Sequence, residues 1–142
     1  MVEYITCDGK LLAILIPASF RESGVHFFTK PDFSQQIGYM QYGTGKKIEP
    51  HLHLPVSREV HLTQEVLFLR RGKLRVDLYS QERKYLFSRV LAAGDAILLI
   101  EGGHGFEVLE PVEMIEVKQG PYAGEGDKSR FAGIQGPEAR LP

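Results

Sequence analysis

Apolar and polar residues alternate most clearly in the middle of the chain. In KLRVDLY (73–79), Leu74, Val76 and Leu78 fall on one face and Arg75, Asp77 and Tyr79 on the other, the period-two pattern of a half-buried antiparallel strand. SQER (80–83) predicts a turn and KYLFSRVL (84–91) the returning partner strand. Ala93-Gly94-Asp95 predicts another tight turn, followed by a buried strand, AILLI (96–100). Next, His104, Phe106 and Val108 share one strand face. Glu110-Pro111 predicts a turn, and VEMIEVKQ (112–119) is the last clear strand.

The same pattern extends upstream. Asp8-Gly9 is a turn signal, and the apolar run from Leu11 to Ile16 predicts a buried strand ending at Pro17. VHFFT (25–29) predicts a short strand stopped by Pro31, and IGYMQYG (37–43) and EVLFLRRG (65–72) predict two more. No window of twelve residues in the central region has helical periodicity. Short strands at roughly 8–12-residue spacing, separated by Gly, Pro and Asp turns, point to an all-β sandwich or barrel. Closure into a double-sheet jelly roll would also remove exposed strand edges. The chain divides into N-terminal strands packing on the barrel (1–36), a barrel core (37–119) and a Gly/Pro-rich tail (120–142). The tail is expected to wrap a neighbouring subunit or to fold over the barrel mouth, with Tyr122 or Phe131 as anchor, unless it is disordered beyond about Phe131.

Composition narrows the class. The chain has 142 residues, 43% of them hydrophobic and 25% charged, ordinary for one globular domain with a real core. The net charge of −1 and the lack of a long basic run argue against a nucleic-acid partner. Cys7 is the only cysteine, which excludes an internal disulfide framework and a multi-cysteine zinc site. The start, MVEYITCDGK, is not a basic secretory leader, and LLAILIPA is too short to span a bilayer. A cytoplasmic protein without membrane contact is the expectation.

The candidate chemistry lies in GKKIEPHLHLPVSREVHLTQEVLFLRRG (45–72). If His51-Leu52-His53 is extended, both imidazoles point to one side. Glu65 opens an apolar strand, where a carboxylate is costly to bury without a partner. His104 follows another apolar strand, with glycines on both sides. Together His51, His53, Glu65 and His104 would supply three imidazoles and a carboxylate to a divalent transition metal. Iron, manganese, nickel, copper and zinc all suit such a donor set. The alternative for the His-x-His pair is a solvated strand face.

These segments resemble the two motifs of the cupin superfamily. The first motif reads G-x5-H-x-H, a short spacer, then E-x6-G. Gly45, His51 and His53 match its opening, and Glu65 and Gly72 its close. The spacer from His53 to Glu65, eleven residues, is longer than usual. In the second motif, G-x5-P-x-G-x2-H-x3-N, Gly94 and Gly102 fit, isoleucine (Ile100) replaces proline, and His104 comes one residue early. The closing asparagine is absent, its place falling near Val108. The resemblance implies a double-stranded β-helix (jelly-roll) barrel, metal held by His51, His53, Glu65 and His104, and a homodimer. It leaves the reaction open, since one fold carries many functions.

The functions considered are therefore three. One is a small metalloenzyme acting on a sugar-like or organic-acid small molecule, of isomerase, epimerase or oxygenase type. Another is a non-catalytic metal-dependent binding protein. The third is a metal-free sugar-nucleotide isomerase in which histidine and carboxylate serve as base and acid. His61, Arg58 and Gln119 are candidate substrate-contact or acid/base groups, with Lys118 the alternative to Gln119 by strand parity. Arg58 suits an anionic substrate because guanidinium pairs bidentately with carboxylate or phosphate. Each also reads as an ordinary solvated side chain of a loop or strand end.

Overall fold

A computed structural model describes all residues from Met1 to Pro142. Eight strands form: β1 (Glu3–Cys7), β2 (Lys10–Ile16), β3 (Gly24–Phe27), β4 (Gly38–Gln41), β5 (Glu65–Tyr79), β6 (Tyr85–Ala92), β7 (Ala96–Leu99) and β8 (Gly103–Lys118). A 3-10 turn at Gly136–Glu138 is the only helical element. The chain is all-β, as its pattern predicts. No helix is long and apolar enough to cross a membrane.

The main sheet is antiparallel, with order β1-β2-β7-β5-β6, and β8 lies along the other side of β5. β5 organises it. Its first half pairs with β7 from Glu65 to Phe68, its second half with β6 from Lys73 to Tyr79, and its opposite edge with β8 throughout. The sheet curls around one face, where Leu67, Leu69, Leu74, Val76 and Leu78 of β5 pack with Ala13, Leu91, Ile97 and Leu99. Each such side chain contributes roughly 1.5–3 kcal/mol on full burial. A second cluster, Ile14, Ile16, Leu98 and Ile100, lies on the outer face under Phe20, Phe28, Phe33 and Ile37. The β3–β4 hairpin forms a separate two-stranded sheet on that side.

The structure corrects the strand boundaries in two places. EVLFLRRG and KLRVDLY are one bent strand, and Glu110-Pro111 does not turn the chain but lies within β8. The cause is a shared bend: the β5–β8 register shifts three times between Leu69 and Leu74. Gly72 has φ +86° at this point, and a Cβ there would lie 2.0 Å from the Pro111 carbonyl oxygen. Only glycine lets two long strands bend together this closely.

The larger correction concerns residues 42–64, which form neither strand nor helix. Every residue from 41 to 63 is exposed, and the only backbone hydrogen bond inside the segment runs from the Lys46 N–H to the Gly43 carbonyl. The expected His51–His53 strand is absent because no strand edge lies beside it to pair with. The segment is an extended arm, rooted where the Gln119 N–H donates to the Gln64 carbonyl and the Thr63 hydroxyl to Asp127. Likewise 37–43 does not join the main sheet, since β4 pairs only with β3.

The tail folds over its own chain. Phe131 packs edge-on against Tyr79, with ring centroids 5.0 Å apart, and the Tyr79 hydroxyl accepts from the Ile134 N–H at 3.0 Å. Phe131 is thus the anchor, whereas Tyr122 is exposed.

Candidate functional site

Glu65 and His104 meet at one end of the curled sheet. Strand pairing sets their face but not their distance: Glu65 lies opposite Lys118 and His104 opposite Leu78, at the two ends of β5, with both β8 residues on the inner face of Leu67, Leu69 and Leu78, and the curl of the sheet folds those ends together. His104 Nε2 lies 3.0 Å from Glu65 Oε2, and Lys118 Nζ lies 3.4 Å from Oε1. Glu65 is 7% exposed. The His104 imidazole beside it holds its carboxyl below the usual range, against the opposing push of burial, and Lys118 adds to the lowering. The same carboxylate raises the Lys118 ammonium pKa, helped by Glu116. An ionised carboxylate between an imidazole and an ammonium group results.

The local backbone explains why β8 can start here. Gly102, at φ +83°, would place a Cβ 2.6 Å from the Tyr79 carbonyl oxygen. Without that close approach His104 would not sit at the end of β5.

The Glu65–His104–Lys118 cluster opens into a cleft of about 710 Å³. His61 and Glu101 line it on one side, and the tail closes the other with Lys128, Arg130 and Phe131. A second cleft of about 650 Å³, on the outer side, also reaches His61. His61 lies 3.5 Å from Glu59 and is largely exposed.

The other expected site residues lie elsewhere. His51 and His53 are near each other, ring centroids 5.2 Å apart, but stand on the exposed arm, and His51 Nδ1 contacts the Glu49 carbonyl at 2.9 Å. No three of the chain's His, Cys, Asp and Glu side chains converge as an ion would need. Within one chain, therefore, the structure joins Glu65 to His104 and leaves His51 and His53 apart. Arg58 is exposed on the arm and lines neither cleft. Of Lys118 and Gln119, it is Lys118 that enters the cleft. Gln119 points away: its amide donates to the Gly120 carbonyl, and its Oε1 is buried without a partner.

Two of the four donors suit a metal as they stand. Two ligands bound cis at about 2.1 Å from one ion sit about 3.0 Å apart, the observed Nε2···Oε2 separation. The contribution of the tail cations, Lys128 and Arg130, had no signal in the strand pattern. It arises from Phe131 docking on Tyr79, and only the expectation of a tail over the barrel mouth points to it.

Comparisons with known protein families, curated proteins and solved structures find no match for this chain.

Proposed function

We propose that this chain is a jelly-roll barrel of cupin type whose Glu65–His104 cleft, completed by His51 and His53, holds a divalent transition metal and acts on a polar, oxygen-rich small molecule. The 3.0 Å approach of His104 to a buried Glu65 carries the reading. A carboxylate in an apolar strand is costly to keep, and this one is aimed at the only inward-facing histidine of the sheet. The metal, when bound, would polarise a substrate oxygen or bound water. The chain's own groups do the rest. Glu65 stays ionised, Lys118 and Lys128 offer positive charge to a carboxylate or phosphate, and Phe131 limits access of water. Sugars, sugar derivatives and organic acids fit such a cleft.

A second reading is supported by Lys118. Both Glu65 oxygens already have partners within the chain, so Glu65, His104 and Lys118 could move a proton without a metal. Elemental analysis of untagged protein separates the two. The metal reading expects about one transition-metal ion per chain, lost in His104→Ala. Failure to retain iron, manganese, nickel, copper or zinc after reconstitution would overturn it and leave the proton-transfer reading.

A further inference from the structure

Two unpartnered features of this chain match each other. The first is the outer edge of β8. Along the other edge β8 pairs with β5 from Gly103 to Lys118, but on the outer edge it has no neighbour. A 16-residue strand with one bare edge is an open template for another strand. On the face away from His104, its side chains Ile115 and Val117, opposite Phe68 and Val66 of β5, are 49% and 53% exposed.

The second feature is the arm. Its backbone groups are almost all unpaired, and its side chains alternate as a strand's would. Ile48, Leu52, Leu54 and Val56 share one parity and are 61%, 89%, 77% and 60% exposed, while His51 and His53 share the other. So much apolar surface is unusual on a monomer. Charge agrees as well. Residues 44–57 carry Lys46, Lys47 and Glu49, a net charge of +1, without ion-pair partners, and β8 carries Glu113 and Glu116, also without them.

We propose that residues 44–57 of one copy add as a strand to the bare edge of β8 in a second copy, and reciprocally, so that each site joins His51 and His53 of one chain to Glu65 and His104 of the other. The last clause rests on the metal reading above; the arm exchange does not. A second copy is the occupant because the arm is exposed along its length and makes only one backbone hydrogen bond within itself, at its opening turn, so docking on a neighbour breaks no contact of its own chain, and its net positive charge suits the acidic β8 of that copy. Exchange is reciprocal and closed by a two-fold axis. Each partner gives about fourteen arm residues and receives about as many on its β8, within the roughly 20–30 residues a side of a stable interface. With the histidines facing inward beside His104, the chain that looks incomplete alone becomes complete as a pair.

The test uses the full chain in EDTA. Light scattering should give twice 16.0 kDa, falling to the single-chain mass in Leu52→Asp/Leu54→Asp. Isotopically light and heavy protein, unfolded together and refolded, are then treated with a carbodiimide. Light-to-heavy crosslinks joining Lys46 or Lys47 to Glu113 or Glu116 are expected. A monomer, or a dimer without such mixed crosslinks, overturns the exchange. The shared site is tested by mixing His51→Ala/His53→Ala with His104→Ala and refolding. Each variant alone should hold almost no metal. Random pairing should restore about a quarter of an equivalent per chain, since half the dimers then own one intact site. No restoration with mixed crosslinks present would remove the shared metal site and leave the exchange standing.

Discussion

Replacing Asp77 by alanine tests whether the outer face of β5 is held by a network or merely decorated by one. Arg75 and Asp77 are 5% and 4% exposed and pair through two contacts, Nε to Oδ1 at 2.8 Å and Nη2 to Oδ2 at 3.1 Å. Glu107 on β8 shares the same Nη2 at 2.7 Å, and the Ser88 hydroxyl donates to Asp77 Oδ1 at 2.5 Å. Tyr85 and the tail extend the chain of contacts: the Tyr85 hydroxyl meets Ser88 at 2.7 Å and accepts from the Arg140 N–H. Asp77→Ala strands a buried guanidinium that cannot deprotonate. Removing one partner of a buried pair costs about 3–5 kcal/mol. Glu107 remains, though its side chain is half exposed, so the loss should fall at the low end, about 3 kcal/mol. For a domain of this size that is a fall in Tm of about 6–12 °C. Urea denaturation followed by circular dichroism measures it, with the slope unchanged. The double variant Arg75→Met/Asp77→Leu removes both charges and should recover most of the loss. A single-variant loss below about 1 kcal/mol, or a double variant no better than the single, would refute a tightly coupled pair.

Two further substitutions, with one control, probe the features that shape the cleft. Gly72→Ala puts a Cβ 2.0 Å from the Pro111 carbonyl oxygen at φ +86°, and should cost about 3–5 kcal/mol. Gly24→Ala, at φ +94° with nothing within 4 Å, should cost only about 1–2 kcal/mol; equal losses would show that the shared bend of β5 and β8 is not tight. Tyr79→Phe removes the acceptor for the Ile134 N–H and should cost about 1 kcal/mol. Hydrogen exchange at Ile134 should accelerate; unchanged exchange would mean that Phe131 alone holds the tail.

What the sequence reveals of this protein follows the reach of each signal. Alternation in KLRVDLY and the turns at 80–83 and 93–95 are local, and the second half of β5, β6 and β7 appear where those signals put them. The proximity of Glu65 and His104, 39 positions apart, was accessible only through motif spacing, and it is the curl of the paired β5 and β8, not their register, that brings the two ends together. The bend at Gly72 was invisible because its cause is a carbonyl on another strand. The arm is the instructive case. Its alternation is strand-like from Ile48 to Val56, yet no strand forms, because alternation encodes a preference for lying in a sheet and not the edge that must receive it. A strand needs backbone partners before its side chains can choose a face. β8, the longest strand of the sheet, offers such an edge, since it lacks a neighbour on that side. The strand that this pattern predicts is thus left unformed in the single chain, and in the proposed exchange the same alternation would turn His51 and His53 toward the face of Glu65 and His104.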